Sequence, residues 1–408
     1  MMCPAAAVTP YNRRLVGWLS VPQLITWGSV FYTFALLMEP LERELGLNRA
    51  QSSLAFSLAL LAEGLLAYPV GRWIDRGHER AVMTGGSLLI ALCLFWHSFV
   101  TSVAGFYAVW LVLGAALAAT LYNPVFAVVT RRFPHDFRRA IITLTFLGGL
   151  ASTVFIPLSA GLIATLGWRH ALWVLAALHL LVCAPLHARL LRGAPASPSA
   201  KPSITSSAPS ASVGHLMRGA PFLLIGVFVV SMMAITAAIP PHLISLLRES
   251  DLPEAWVIAI PASIGAIQVL GRLLLYFFEH RFDVHVANRL IPCLIPLSLA
   301  ALLAAGGHAR ADVFFALLFV LMFGLGNGML TIVKGTAIAQ YVSREQVASL
   351  NGALGLPSAL GRAAAPLVLG LLWTPAAGYT TGLWLLLAAS VLAVVALLLA
   401  QRSATLPA

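Results

Sequence analysis

Twelve long apolar runs follow one another through this chain, and no other feature limits its fold so tightly. They lie roughly at 17–38, 52–74, 81–100, 104–130, 140–166, 169–188, 219–247, 255–279, 289–306, 312–340, 347–372 and 380–400. About 20 mostly apolar residues carry an α-helix across the hydrocarbon core of a bilayer, so each run is close to the length of a crossing. A membrane barrel would instead alternate apolar and polar residues along short strands, whereas Leu383–Ala400 is apolar almost throughout. Charged residues make up 10% of the chain, against about 25% in soluble domains. The expected fold is therefore all-α and integral to the membrane, with the lipid bilayer as its surroundings.

The net charge of +11 would suggest nucleic acid on a soluble protein. Here its distribution among the loops is the informative quantity. With the N-terminus inside, 17 Lys and Arg residues fall on the cytoplasmic side and 5 outside; Arg272, Lys334 and Arg362 lie within spans. The outside five are Arg43, Arg49, Arg169, Arg248 and Arg310. By the positive-inside rule both termini are cytoplasmic, and no nucleic-acid partner is expected. The multi-pass topology suits a bacterial inner, or plasma, membrane. Of four cysteines, Cys93, Cys183 and Cys293 fall in spans and Cys3 in the first tail, so no disulfide framework is implied. The first run is long enough to span and lacks a small-residue cleavage site, so no cleavable leader is expected.

Residues 193–213 are rich in Ser, Pro and Ala, a composition that behaves as a flexible linker. Three regions follow: 1–188, a six-helix bundle; 189–218, a cytoplasmic linker; and 219–408, a second six-helix bundle. Similar residues recur across the divide. Gly71-Arg72 has an echo at Gly271-Arg272, Pro157 and Gly161 at Pro366 and Gly370, and Gly114 at Gly324, with offsets of 200 to 210. A near-constant offset is what a duplicated unit leaves behind.

The turn after the second run reads Gly71, Asp75, Arg76, Gly77, His78, Glu79, Arg80. It resembles the loop between helices 2 and 3 of the major facilitator superfamily, whose pattern is Gly, three residues, Asp-Arg, any residue, Gly, then basic residues. Here the Gly comes early, and His78 and Glu79 hold the Gly and first basic positions. The resemblance implies twelve helices in two pseudo-symmetric bundles. It also implies a gating cluster of Gly71, Asp75, Arg76 and Arg80, echoed by Gly271 and Arg272, that locks the halves in one state and frees them in the other. Gly71 would let two helices approach closely, and Asp75 would cap a helix or pair with arginine. The plain alternative is ordinary positive-inside charge. Gly148-Gly149, Pro157 and Gly161 resemble the Gly-Pro motif of exporters, against the alternative of a packing kink.

Ionisable groups inside a span are costly and usually face a cavity. Glu63, mid-way along the second run, is the one deeply placed carboxylate and the candidate proton carrier, or else a packing hydrogen bonder. Asn327, Thr331 and Lys334, at i, i+4 and i+7, share a helix face, beside Gly324, Gly326 and Gly328, which would leave room for a cavity. Arg362 has no carboxylate nearby in sequence; its partner is another helix or the substrate. Arg272, two turns before Glu279, is expected to snorkel to the inner surface. Trp27, Tyr32, Tyr122 and Asn123 are further cavity candidates, with packing as the alternative. Met232-Met233 and His242 show no paired metal-ligand spacing, so neither a metal nor a cofactor is expected, and His97 and His179 read as structural.

Two buried cations in the second half point to an anionic substrate, as in the monocarboxylate and oxalate–formate branches of the superfamily. The other possibility is that Lys334 or Arg362 pairs with Glu63 and leaves the substrate's charge open. The expected activity is secondary transport of a small organic molecule by a monomer, coupled to protons or another ion. A multidrug efflux pump is the alternative. A membrane-embedded enzyme would need clustered catalytic residues, an ATPase a phosphate-binding loop, and a sensor a soluble domain; the sequence contains none of these.

Overall fold

The computed structural model describes residues 11–193, 213–278, 284–305, 309–343 and 345–403. The expected linker falls largely outside the described residues, as do Cys3 and Glu279. Where the chain is described it is helical, and each long apolar run forms a rod because a backbone in lipid must satisfy its own hydrogen bonds.

The rods run in sequence order. α1 (Arg13–Thr26) and α2 (Phe34–Leu45) form one crossing, joined by a wider π-helical turn at Trp27–Tyr32. α3 (Arg49–Trp73) and α4 (Glu79–His97) follow, then α5 (Val103–Ala118) with α6 (Tyr122–Arg132). α7 (Phe137–Gly149), α8 (Ala151–Leu178) and α9 (Ala184–Leu190) complete the first half. The second half has the short α10 (Val213–Arg218), then α11 (Ala220–Glu249), α12 (Glu254–Phe278), α13 (Val284–Ala304), α14 (Ala309–Tyr341), α15 (Val347–Leu371) and α16 (Thr380–Ser403).

Among the described residues ten helical stretches are long and apolar enough to cross a membrane. Two are too long for one crossing: Arg49–His97 has 49 residues and Phe137–Leu190 has 54, some 70–80 Å of helix at about 1.5 Å per residue. Each is broken at a glycine with positive φ, Gly77 (+89°) and Gly167 (+78°), and division there turns ten into twelve. Local signals set the rod starts. Asn12 and Ser102 accept the Leu15 and Gly105 amides, and Asn48 with Gln51 forms a reciprocal capping box.

The rods pair in a pattern that repeats after six crossings. α3 packs on α5 as α12 packs on α14, and α4 on α5 as α13 on α14. α1 meets α7 as α11 meets α15. Gly114 makes the first of these contacts possible, since a Cβ there would fall 2.2 Å from Ala59 O; Gly328, where a Cβ would fall 2.3 Å from Gln268 O, does the same for α12 and α14. Between the halves, α3 lies along α15 and α8 along α12. Gly265 admits the second contact, because its Cβ would meet Ser152 Oγ and Thr153 Oγ1 of α8 at 2.7 Å.

Candidate substrate cavity and the ends of the bundle

Between the two halves lies a cavity of about 420 Å³, within the range of about 300–1,000 Å³ usual for small-molecule sites. Its wall includes Trp27, Tyr32, Glu63, Tyr122, Asn123, Asn327, Thr331, Lys334 and Arg362. Residues spread over more than 300 positions thus converge on one space. Sequence reasoning missed Phe31, Phe126, Thr145, Gln268 and Phe323, which also line it. All but Thr145 and Gln268 are apolar, and an apolar cavity wall looks like a packed core in sequence.

Among the described residues the wall carries one carboxylate, Glu63, and three cations, Arg272, Lys334 and Arg362, for a net formal charge of +2. Arg362 Nη2 donates to Glu63 Oε2 at 3.0 Å, with side chains 19% and 6% exposed. This pair ties α3 to α15. Beside it the Leu367 amide donates to Ser57 Oγ at 3.1 Å, and Gly64 faces Ala359 where a Cβ would come within 2.6 Å. Lys334 Nζ meets Met233 Sδ at 3.1 Å, and Arg272 Nη1 donates to Thr145 O at 2.5 Å. Among the described residues neither of these two cations is ion-paired.

Two expectations are corrected here. Arg272 does not snorkel to a surface; it points across the cavity boundary to α7, where Gly149 leaves space (a Cβ there would lie 2.9 Å from Arg272 Nη1). Gly324, Gly326 and Gly328 do not open room for a ligand. Their missing Cβ atoms are replaced by Ile267, Leu294 and Gln268 of neighbouring helices, so they serve packing.

The opposite wall is aromatic. Phe126 stacks on Tyr122 at 5.2 Å, Tyr122 meets Trp27 at 5.2 Å, Trp27 meets Phe31 at 5.0 Å, and Phe31 meets Tyr32 at 5.4 Å. The π-helical turn explains how Trp27, Phe31 and Tyr32 all reach the cavity. In an α-helix the fifth residue on from Trp27 would point well away; a wider turn brings it round. The turn is held by Thr33, whose amide and Oγ1 both donate to Gly28 O at 3.1 and 2.9 Å. Gly28 itself packs under Phe155, where a Cβ would lie 2.1 Å from the ring. Gly148 similarly seats Tyr122, since a Cβ there would meet Tyr122 Oη at 2.5 Å. The Gly148-Gly149 pair ends α7 at the break before α8 and also makes space for two cavity side chains.

At the bundle end that carries most of the arginines, here called the basic face, the expected gating residues behave differently from one another. Asp75, Arg76 and Arg80 are exposed. The buried carboxylate of the turn is Glu79, fully inaccessible, which accepts from Arg132 Nε at 2.6 Å and also pairs with Arg131. Arg131 further reaches Ile74 O, and Arg132 Nη2 reaches Arg192 O at 3.2 Å. Glu79 therefore fastens the α3–α4 turn to the end of α6, and Arg132 carries the link to the chain just after α9, at a position that departs from the superfamily pattern. Gly71 does not mediate a close approach, because a Cβ there meets nothing within 4 Å. Its echo Gly271 does, with Leu325 O only 2.9 Å from the would-be Cβ.

The opposite face is closed by charge. Arg49 pairs with Glu42 at 3.0 Å and, across the halves, with Glu249 at 3.2 Å; it also donates to Ser245 Oγ at 3.1 Å. Its guanidinium lies 5.2 Å from the Trp373 ring centroid and 5.9 Å from that of Tyr379. Arg248 adds a second link, to Glu39 at 2.9 Å. Beneath them His242 meets Pro366 O at 2.9 Å and Tyr379 Oη at 3.1 Å. Burial holds the Tyr379 hydroxyl far above the usual phenol range, so it stays neutral. His179, read as structural, bonds to Ser29 at 2.7 Å.

These features match a known group of proteins. The family model of the Major Facilitator Superfamily matches residues 23–287. The chain belongs to that superfamily. Monocarboxylate transporter 13 of Bos taurus is 30% identical over 323 residues, which span 76% of this chain and 69% of that protein. The Rattus norvegicus protein of the same name is 29% identical over the same shares. Among solved structures, a bacterial homolog of the human lysosomal transporter Spinster, inward-facing and occupied, superposes with a TM-score of 0.73 at 15% identity, covering 97% of each chain. The nucleoside transporter NupG gives 0.72 at 16% identity over 95% and 98% of the two chains, and the POT family transporter PepTSo 0.73 at 12% over 97% and 99%. At such identities the structures share the fold. This chain is an integral, multi-pass membrane transporter of the superfamily.

Proposed function

We propose that this transporter carries a small organic anion through its central cavity by alternating access, coupled to protons through Glu63. The observation that carries the reading is the wall's surplus of positive charge. Arg362 is offset by Glu63, while among the described residues Lys334 meets a thioether and Arg272 a carbonyl oxygen, with no carboxylate paired to either. Cations held inside a membrane protein need a counter-charge, and a carboxylate cargo supplies one. That two relatives are named monocarboxylate transporters supports the same class.

The rest of the cycle follows from the two ends. The halves, divided at the 189–218 segment, rock about the cavity. The basic face lies in the cytoplasm by the positive-inside rule. The cavity sits towards that face, since Phe126 is five residues, about 7.5 Å of helix, from Arg131. With the opposite face latched, this is the inward-facing state.

The test is uptake by proteoliposomes of acetate, lactate and phenylacetate, against an uncharged amide and a quaternary ammonium ion. Carboxylates should be carried, and Lys334→Gln with Arg272→Gln should lower their rate at least tenfold. Faster transport of the amide or the ammonium ion, or an undiminished rate in the double variant, overturns the anion reading.

A further inference from the structure

The cavity is divided chemically as well as structurally. Each cation on its wall comes from the second half of the chain: Arg272 from α12, Lys334 from α14, Arg362 from α15. The first half brings the Glu63 carboxylate that offsets Arg362, and otherwise mainly rings. The rings at Phe126, Tyr122, Trp27, Phe31 and Tyr32 form an unbroken chain, each within 5.0 to 5.4 Å of the next. Such spacings are those of interacting aromatic pairs, leaving ring faces and edges suited to one more ring.

The geometry points to an aromatic monocarboxylate as the preferred cargo, with its carboxylate at Arg272 and Lys334 and its ring against the Trp27–Tyr122–Phe126 wall. This rests on the anion reading above and narrows it. Three features favour it over a short aliphatic acid or a dicarboxylate. A three-carbon acid would fill a small part of 420 Å³ and leave the rings facing water. Among the described residues a second carboxylate directed at the first half would meet no cation on the cavity wall, and Glu63 would repel it. The ring wall is also built at some structural expense: it needs a π-helical turn in the first crossing, and glycines at positions 28 and 148 where a Cβ would strike Phe155 or Tyr122. π-Helical turns of this kind frequently mark functional sites.

The experiment is a substrate panel on purified protein in liposomes, comparing phenylacetate and 3-phenylpropionate with acetate, lactate and succinate at one imposed pH gradient. The expected result is a phenylacetate rate at least ten times that of lactate, with succinate slowest. In Trp27→Leu, and separately in Phe126→Leu, the phenylacetate-to-lactate ratio should fall at least fivefold, while Trp27→Phe restores most of it. Using the ratio separates recognition from yield, and the Phe126 variant decides the question if the Trp27 variant does not fold. Lactate carried as fast as phenylacetate, or a ratio unmoved in the folded variants, overturns this inference and leaves the anion reading standing. Transport of no carboxylate by protein that melts cooperatively overturns both.

Discussion

Arg49 should decide which side of the membrane the cavity faces. Its bond to Glu42 lies within the first half and survives any rocking of the halves. Its contacts to Glu249, Ser245, Trp373 and Tyr379 cross to the second half and exist only while this face is closed. Glu249 is 33% exposed, so its pair is worth the surface value, about 1 kcal/mol. The charged hydrogen bond to Ser245 adds about 1.5 kcal/mol, and the ring contacts about 0.5 kcal/mol. Arg49→Met therefore withdraws about 3 kcal/mol from the closed face, a population shift of roughly a hundredfold at 1.4 kcal/mol per tenfold. Ser53 is a suitable reporter, fully buried where α3 meets Gly370. In a variant free of the native cysteines, Ser53→Cys should react with an impermeant maleimide at least tenfold faster once Arg49 is Met, and at an intermediate rate with Lys. A fall in melting temperature alone would report only the orphaned Glu42. Labelling within twofold of the parent, in protein that still transports, would refute the latch.

Three further outcomes are expected. Glu63→Gln should lower anion accumulation driven by a pH gradient at least tenfold, and much more than it lowers exchange of labelled for unlabelled anion; equal losses would count against a coupling role. Glu79→Gln leaves Arg132, 8% exposed, without its carboxylate and should cost about 3 kcal/mol, lowering the thermal midpoint by more than Asp75→Asn does; the reverse order would contradict the buried cluster. Gly328→Ala pushes a methyl into Gln268 O and should destabilise by about 1–3 kcal/mol. Gly71→Ala meets open space inside α3 and should be neutral or slightly stabilising through helix propensity; paired melting curves in detergent distinguish them.

What the sequence revealed and what it hid divide along physical lines. The cost of a charge in hydrocarbon singles out Glu63, Lys334 and Arg362, and the structure brings all three to one cavity. Asn327 and Thr331 join them because helical periodicity is enough to assign a face. The Glu63–Arg362 pair was one of the alternatives that the buried charges allowed, but across 299 positions no local pattern chooses between Arg362, Lys334 and a substrate as the partner. Arg272 misled because a basic residue near a helix end has two equally cheap fates, the surface or a polar cleft. Glu79 looked like a lapse from a motif, and only burial shows it to be the carboxylate that holds Arg131 and Arg132. Glycines were the most ambiguous residues. Gly71 and Gly271 look alike in sequence, yet one faces open space and the other a neighbouring backbone, a difference set wholly by what packs opposite.

The Glu63–Arg362 pair also bears on why protons and anions should move together. With Glu63 ionised the cavity wall carries +2; a proton on Glu63 alone raises it to +3 and strips Arg362 of its counter-ion. A cargo carboxylate at Arg272 and Lys334, on the same wall, returns the total to +2. Linkage makes the effect mutual: whatever the anion contributes to protonation, protonation contributes to anion affinity. The same pair joins α3 to α15, so its loss on protonation loosens the contact between halves, with the cargo anion restoring the charge balance. Proton flux without anion should therefore be slow, and addition of a carried anion should accelerate it; a large anion-independent proton leak would mean that the charge balance of this cavity does not control the cycle.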